Sequence, residues 1–258
     1  MAEVSELVQR YGHFDFLRFL DGASAITHTY IMGEWDLCLE RANAFVRAVE
    51  EGSPHYQAAN AYSRRGTINL GRGDGEAALV DAGRALELAR AVGEPQILLP
   101  VLLDGARVYA GTGDEPTARA LFDEALARLR ELPHLGFAVF YAHTIAWFGR
   151  SFGREAEVEE IFSRKTMKSR WLDAGRAVLA GDLHTAIEIL AHIDAPAFVA
   201  FFRMRAAEQL AAEGRHAEAD AQLHAALAFY RSVRATRHVR ECELLLSASA
   251  STGNAAGA

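Results

Sequence analysis

Clustered glycines, scattered histidines, two cysteines and a set of arginines near tryptophans carry most of the chemical potential of this chain. Three glycines fall within five positions of "NLGRGDGEAALV" (69–80), which also holds an Arg-Gly-Asp triplet. A glycine-rich loop can cradle phosphate, but the dinucleotide fingerprint needs a strand before the loop. Here the preceding "YSRRGTINL" (62–70) has a helical pattern instead. No glycine is followed by lysine, so there is no Walker A motif, and HExxH, G-x-S-x-G and CxxC are also absent. An adhesive role for the triplet is opposed by the start "MAEVSELVQRYGHFDF", which lacks the basic and then apolar pattern of a secretory leader.

Metal and acid–base chemistry fare no better. His184 and His192, like His216 and His224, stand eight apart, whereas a metal pair on one helix prefers i, i+4. These histidines read as surface or packing residues. "AVEE" (48–51) and "EVEE" (157–160) read as solvated helix faces. Cys38 and Cys242 are far apart, with no disulfide framework and no zinc spacing. No cofactor, metal or catalytic constellation is expected, and the chain reads as a non-enzyme. What remains is binding chemistry, because arginine beside tryptophan suits a carboxylate or an aromatic group.

The elements that must position these residues are helices. Alanine, leucine, arginine and glutamate dominate, all strong helix formers, and few segments alternate with period two. The 258 residues are enough for a sizeable core. A net charge of −7 argues against non-specific grip on nucleic acid or anionic lipid. No apolar run reaches the ~18 residues of a membrane span, so the expected compartment is the cytoplasm. Lys165 and Lys168 are the only lysines, a bias that fits a GC-rich bacterial gene.

Gly33, Gly73, Gly113 and Gly153 are spaced by 40 residues, and Gly181 and Gly214 follow at gaps of 28 and 33. Each ends one helical pattern and precedes another. Ala118, Leu121, Phe122, Ala125, Leu126 and Leu129 make a single apolar stripe on the second helix of the third unit. Asp74, Asp114 and Asp182 follow their glycines as N-caps, while Pro54, Pro95, Pro133 and Pro196 mark helix starts at the other end of the unit. Pro100 and Pro116 are also expected within first turns. Small residues should meet where the paired helices cross: Gly66 with Ala78, Ala106 with Ala118, and Ala207 with Ala219.

The unit is therefore helix A, glycine turn, helix B, proline-marked turn. The G-D-x-x-x-A core followed by Phe or Leu, as at Phe122, Phe162, Leu190 and Leu223, resembles tetratricopeptide repeats. HEAT-type repeats share a period of about 40, but the Gly-x4-Ala-x3-Phe signature points to the tetratricopeptide pattern. The expected fold is an all-α, α-α superhelix, a solenoid with a concave face lined by A helices. Its units lie near 16–53, 54–94, 95–132, 133–165, 166–194 and 195–232. The first four are expected to have helices of four to five turns, and 161–180 a shorter pair or a kink. A capping helix over 234–250 and a frayed tail over 251–258 complete the chain.

The stretches 4–19, 52–90 and 203–246 further resemble the C-terminal helical region of bacterial regulators that join a cyclase-like domain, an AAA/STAND-type ATPase and tetratricopeptide repeats. Arg234 departs from the glycine of that family's pattern. The resemblance implies a fragment or stand-alone relative of such a regulator, and it transfers no catalytic residue.

Counting back from the glycines places Asn60, Arg64 and Thr67 on the concave face, then Asp104 and Arg107, then His143, Thr144 and Trp147, with Trp171, Arg205 and Glu208 beyond. Of these, Asn60, Arg64, Thr67, Arg107, His143, Trp147 and Arg205 are the candidate binding residues. The expected partner is a protein or peptide segment, or another domain of a parent regulator. The alternative is a small-molecule sensor that gates a linked domain, and a closed apolar cavity with few polar groups would favour it over an open groove. A second alternative is that the tryptophans pack between units and the charges pair with each other. Within "NLGRGDGEAALV", Gly71 and Arg72 read as bystanders at the end of a helix.

Overall fold

The computed structural model describes residues 18–164 and 168–255. Residues 4–17 of the first resembling stretch, the start of the first unit at 16, Lys165 and the last three residues of the tail lie outside them. Among the described residues the chain is all helical. A π-helical turn at Leu20–Ala25 leads into α1 (Ile26–Ile31), which pairs with α2 (Trp35–Glu50). Next come α3 (Ala58–Gly71) with α4 (Gly75–Val92), then α5 (Pro95–Thr112) with α6 (Glu115–Glu131). A 3-10 turn at Gly136–Tyr141 precedes α7 (Ala142–Ser151) and α8 (Glu155–Ser163). The remaining pairs are α9 (Arg170–Leu179) with α10 (Leu183–His192) and α11 (Pro196–Ala212) with α12 (His216–Ser232), before the final α13 (Thr236–Ala255). Most helices pack chiefly on their neighbours in sequence, but α7 packs chiefly on α9, past the short α8.

The turns explain why the helices stop where they do. Gly113 has φ +92°, and the amide of Asp114 reaches back to Tyr109 O at 2.9 Å, satisfying a carbonyl that the helix end leaves open. The Asp114 carboxylate then accepts from Thr117 N at 3.1 Å and opens α6. Asp74 and Asp182 cap α4 and α10 in the same way, each at 3.0 Å. All six phase glycines have positive φ. The same backbone turn recurs without glycine at Asp194 and Arg234, both at φ +57°, where the amides of Ala195 and Ala235 reach back to Leu190 O and Tyr230 O. The departure from glycine at Arg234 therefore leaves the turn intact. The left-handed backbone there costs roughly 1–2 kcal/mol, and Arg234 also pairs with Asp36.

Close helix crossing follows the small residues. A Cβ on Gly66 would lie 3.1 Å from both Ala78 O and Asp81 Cβ. Ala106, Ala118, Ala207 and Ala219 are all buried.

Several expectations need correction. Pro95, Pro116 and Pro196 sit in first turns, but Pro54 and Pro133 lie in the connections ahead of α3 and the 3-10 turn. Pro100 is the sixth residue of α5, inside the helix. The fourth unit is not long, since α7 and α8 have only 10 and 9 residues; α9 and α10, with 10 each, are short as expected.

The C-terminal helix does more than cover the last pair. Thr236 Oγ1 donates to Arg72 O at 2.6 Å, and Arg237 Nη1 donates to Gly111 O at 2.5 Å. Arg72 holds Asp36 at 2.6 Å and donates to Val233 O at 3.3 Å. α11 packs on α1, with the Tyr30 and Phe198 rings 6.3 Å apart. The array thus returns on itself. Arg72 is a clasp between its ends rather than a bystander, and a Cβ on Gly71 would meet the Trp35 ring at 2.9 Å. The Arg-Gly-Asp triplet is an ion pair, a turn and a helix cap.

Candidate functional site

Because the array closes, its A helices face a shared interior. Arg64 on α3 and Asp104 on α5 occupy the same place in successive repeats, nine residues ahead of Gly73 and Gly113. Their side chains meet at 3.2 Å, each 3% exposed. Ser63 Oγ donates to Asp104 at 3.0 Å. Arg64 also donates to the Tyr141 hydroxyl, and its guanidinium lies 4.9 Å from the Tyr30 ring centre. Burial opposes the Arg64 charge, but the facing Asp104 carboxylate favours it, and the guanidinium pKa is raised. Burial likewise pushes the Tyr30 and Tyr141 hydroxyls up, so both stay protonated.

His143 lies beside this network, 1% exposed, with its ring 4.1 Å from that of Phe198. Among the described residues neither ring nitrogen has a hydrogen-bond partner. Burial, then Arg107 and Arg64, hold its pKa well below the ordinary value, so the imidazole is neutral. Arg107 reaches the Tyr30 hydroxyl and Thr144 Oγ1, both at 3.3 Å, and its guanidinium lies 5.4 Å from the Phe201 ring centre. Trp147 packs edge-on against Phe201 at 5.6 Å. Arg205 covers both rings and pairs with Glu208 at 3.0 Å. Asn60 bonds to Gln57, while Thr67 is buried and donates to Ser63 O at 2.9 Å.

The candidate residues are therefore brought together around the interior, and not along an open groove. Arg64 pairs internally and can be reached only from within. Trp147 and Trp171 pack against aromatic neighbours of other helices. Tyr30, Tyr141 and Phe198 were missed by counting back along the A helices, and they hold the centre. One signal was available: an arginine and an aspartate at the same repeat position in successive units are placed to pair across adjacent A helices.

This central layer separates two cavities. The larger, about 600 Å³, opens toward the starts of the A helices. Ile31, Phe137, Phe140, Trp171 and Phe198 supply apolar walls, and Asn60, Gln57 and Gln96 supply polar edges. Pro100 also lines it, and without an N–H it cannot close the usual helical bond to Gln96 O. The smaller, about 250 Å³, lies at the glycine-turn end. It is walled by both ends of the chain, from Tyr30 and Trp35 to Tyr230, Arg237 and Glu241.

No protein-family model and no curated protein matches the chain. The resemblance to tetratricopeptide repeats thus rests on the repeat pattern alone, and that to the bacterial regulators on the three quoted stretches alone. Among the described residues no helix is long and apolar enough to cross a membrane, and no group of three His, Cys, Asp or Glu side chains is placed to hold a metal ion. The Cys38 and Cys242 thiols are buried, and burial pushes each up to about 11.

Proposed function

We propose that this chain is a non-enzymatic, tetratricopeptide-like module of the cytoplasm that binds a small, mainly apolar molecule inside its closed array of helix pairs. The observation that carries the reading is the larger cavity, about 600 Å³ with aromatic walls and a few polar edges. That volume and chemistry fit a small-molecule site. A superhelix whose ends clasp couples occupancy of its interior to its shape, which suits a sensor that gates a linked domain of a regulator. The protonated, buried thiols and the neutral His143 support binding rather than catalysis.

A protein scaffold is the second reading. Phe137 and Phe140 are 59% and 43% exposed at the edge of the larger cavity, a foothold for an apolar side chain of a partner segment. The concave surface such a segment would otherwise follow is filled by this chain's own Arg64, Tyr141 and Phe198.

Thr27→Trp tests the proposal, because Thr27 lines the larger cavity from α1 and is half-buried. A panel of neutral apolar compounds should raise the melting temperature of the wild type and change Trp171 fluorescence. Thr27→Trp should fold and lose both responses. Compounds that bind the variant as well as the wild type, or a panel with no response at all, would overturn the small-molecule reading.

A further inference from the structure

The smaller cavity has an unbalanced charge. Three arginines line it, from three different helices: Arg107 on α5, Arg205 on α11 and Arg237 on α13. Two are neutralised at home, Arg205 by Glu208 at 3.0 Å and Arg237 by Glu241 at 2.8 Å. Deeper in, Arg64 is neutralised by Asp104. Arg107 has no carboxylate within ion-pair distance among the described residues; its bonds are the two 3.3 Å contacts to hydroxyls of Tyr30 and Thr144. An arginine cannot shed its proton to relieve the mismatch, and a half-buried cation without a counter-ion is costly. Beside it the Arg205 Nε is buried with no hydrogen-bond acceptor among the described residues. The site therefore lacks one negative charge with hydrogen-bond acceptors.

The walls around this gap are apolar. Trp147 and Phe201 meet edge-to-face, with Arg205 over both rings. The space, about 250 Å³, equals roughly eight waters at ~30 Å³ each, which suits a single ring carrying a short acidic arm. We propose that this cavity is a second ligand site, distinct from the larger one, that takes a small aromatic monocarboxylate. Its carboxylate faces the Arg107 guanidinium beside the Thr144 hydroxyl, and its ring lies against Trp147 and Phe201. A carboxylate matches the planar guanidinium fork and the single missing charge; a phosphate monoester, at about −1.5 to −2, overfills it.

Calorimetric titration with phenylacetate and its neutral amide, phenylacetamide, tests the assignment on the full chain, with Trp fluorescence as a second readout. Phenylacetate should saturate one site, and the amide should bind at least tenfold more weakly. Arg107→Gln, which keeps hydrogen-bond donors toward Tyr30 and Thr144, should fold with a far-UV spectrum like that of the wild type. It should weaken phenylacetate at least tenfold while leaving the amide unchanged. Thr27→Trp, in the other cavity, should bind phenylacetate as the wild type does. Equal affinity for acid and amide, an Arg107→Gln effect below twofold, or no phenylacetate binding would overturn the proposal. Loss of phenylacetate in Thr27→Trp with retention in Arg107→Gln would overturn it too, and would place the acid in the larger cavity, leaving the proposed function standing. Arg107→Lys restores the charge without the planar fork, so it should bind phenylacetate more tightly than Arg107→Gln and more weakly than the wild type; no gain over Arg107→Gln would overturn the charge argument.

Discussion

Asp104→Ala is the sharpest perturbation of the central layer. The Arg64–Asp104 separation of 3.2 Å corresponds to an attraction of about 5 kcal/mol at an effective dielectric constant near 20. Much of that offsets the cost of taking both ions out of water, so the intact pair adds little net stability. Removing one partner exposes the desolvation penalty of the other, about 3–5 kcal/mol. Against a typical domain stability of ~5–15 kcal/mol, Asp104→Ala should remove about a fifth or more.

The two halves of the pair should fail differently. Arg64 cannot deprotonate, so the cost of Asp104→Ala should be nearly the same at pH 5 and pH 7. Arg64→Met leaves a buried carboxylate, which relieves itself by taking up a proton, so its cost should shrink as the pH falls. Arg64→Met combined with Asp104→Ala should recover at least ~2 kcal/mol relative to the sum of the singles. Urea unfolding followed by far-UV circular dichroism, with unchanged m-values, gives these differences. Additive singles within ~0.5 kcal/mol, or an Asp104→Ala cost below ~1 kcal/mol, would refute the argument. The same reasoning makes Arg64→Ala a poor probe of binding, since it disturbs the fold first.

Other outcomes follow from single contacts. His143 is held neutral when folded and titrates near its ordinary 6.5 when unfolded. Acid therefore favours the unfolded chain: the His143 contribution is complete above pH 6.5 and is lost as the pH falls below it, by up to ~1.4 kcal/mol per unit. The charges that act on it besides burial are those of Arg107 and Arg64. His143→Leu should flatten the slope between pH 6.5 and 5 relative to wild type in chemical denaturation, and an identical slope would refute the assignment. Gly175→Ala should destabilise by ~1–3 kcal/mol, because a Cβ there meets Ala142 C and Cβ at 2.8 Å. Gly83→Ala, with nothing within 4 Å, should stabilise by ~0.5–1 kcal/mol through helix propensity, and equal signs for the two in thermal melts would contradict the α7–α9 packing. At the turns, Gly113→Val should cost ~1 kcal/mol or more because φ is +92°. Arg234→Gly should be neutral to stabilising, since relief of its left-handed backbone exceeds an exposed ion pair worth at most ~1 kcal/mol; a clear loss of stability in the latter would show that the Asp36 clasp matters more than the turn.

Sequence reasoning reached the parts of the fold that short-range physics encodes. A glycine with positive φ, an aspartate accepting from the amide three residues on, and a small residue where two helices cross are settled within about ten residues of chain, so Gly113, Asp114 and Ala118 could be read together. Helix length in the fourth unit was not legible. "GFAVFYAHTIAWFG" carries helical hydrophobicity throughout, and only packing against α5 and α9 draws Gly136–Tyr141 into a 3-10 turn. The clasp of Asp36, Arg72, Arg234 and Thr236 was invisible because it joins distant parts of the chain, with Arg234 and Asp36 bonded across 198 residues.

The consequence for function is physical rather than statistical. In an open superhelix, polar residues on A helices face water, and Arg64, Asp104 and His143 would be exposed recognition groups. Closure places the same residues between two cavities, where each charge must find a partner in the protein or in a ligand. Arg64 finds Asp104; Arg205 and Arg237 find glutamates. His143 answers differently, by staying neutral. Among the described residues, Arg107 is the one arginine lining these two cavities with no carboxylate partner; it meets the hydroxyls of Tyr30 and Thr144 and the Phe201 ring. The residue that matters most for recognition is therefore not the most buried or the most exposed one, but the one whose charge the fold leaves unanswered.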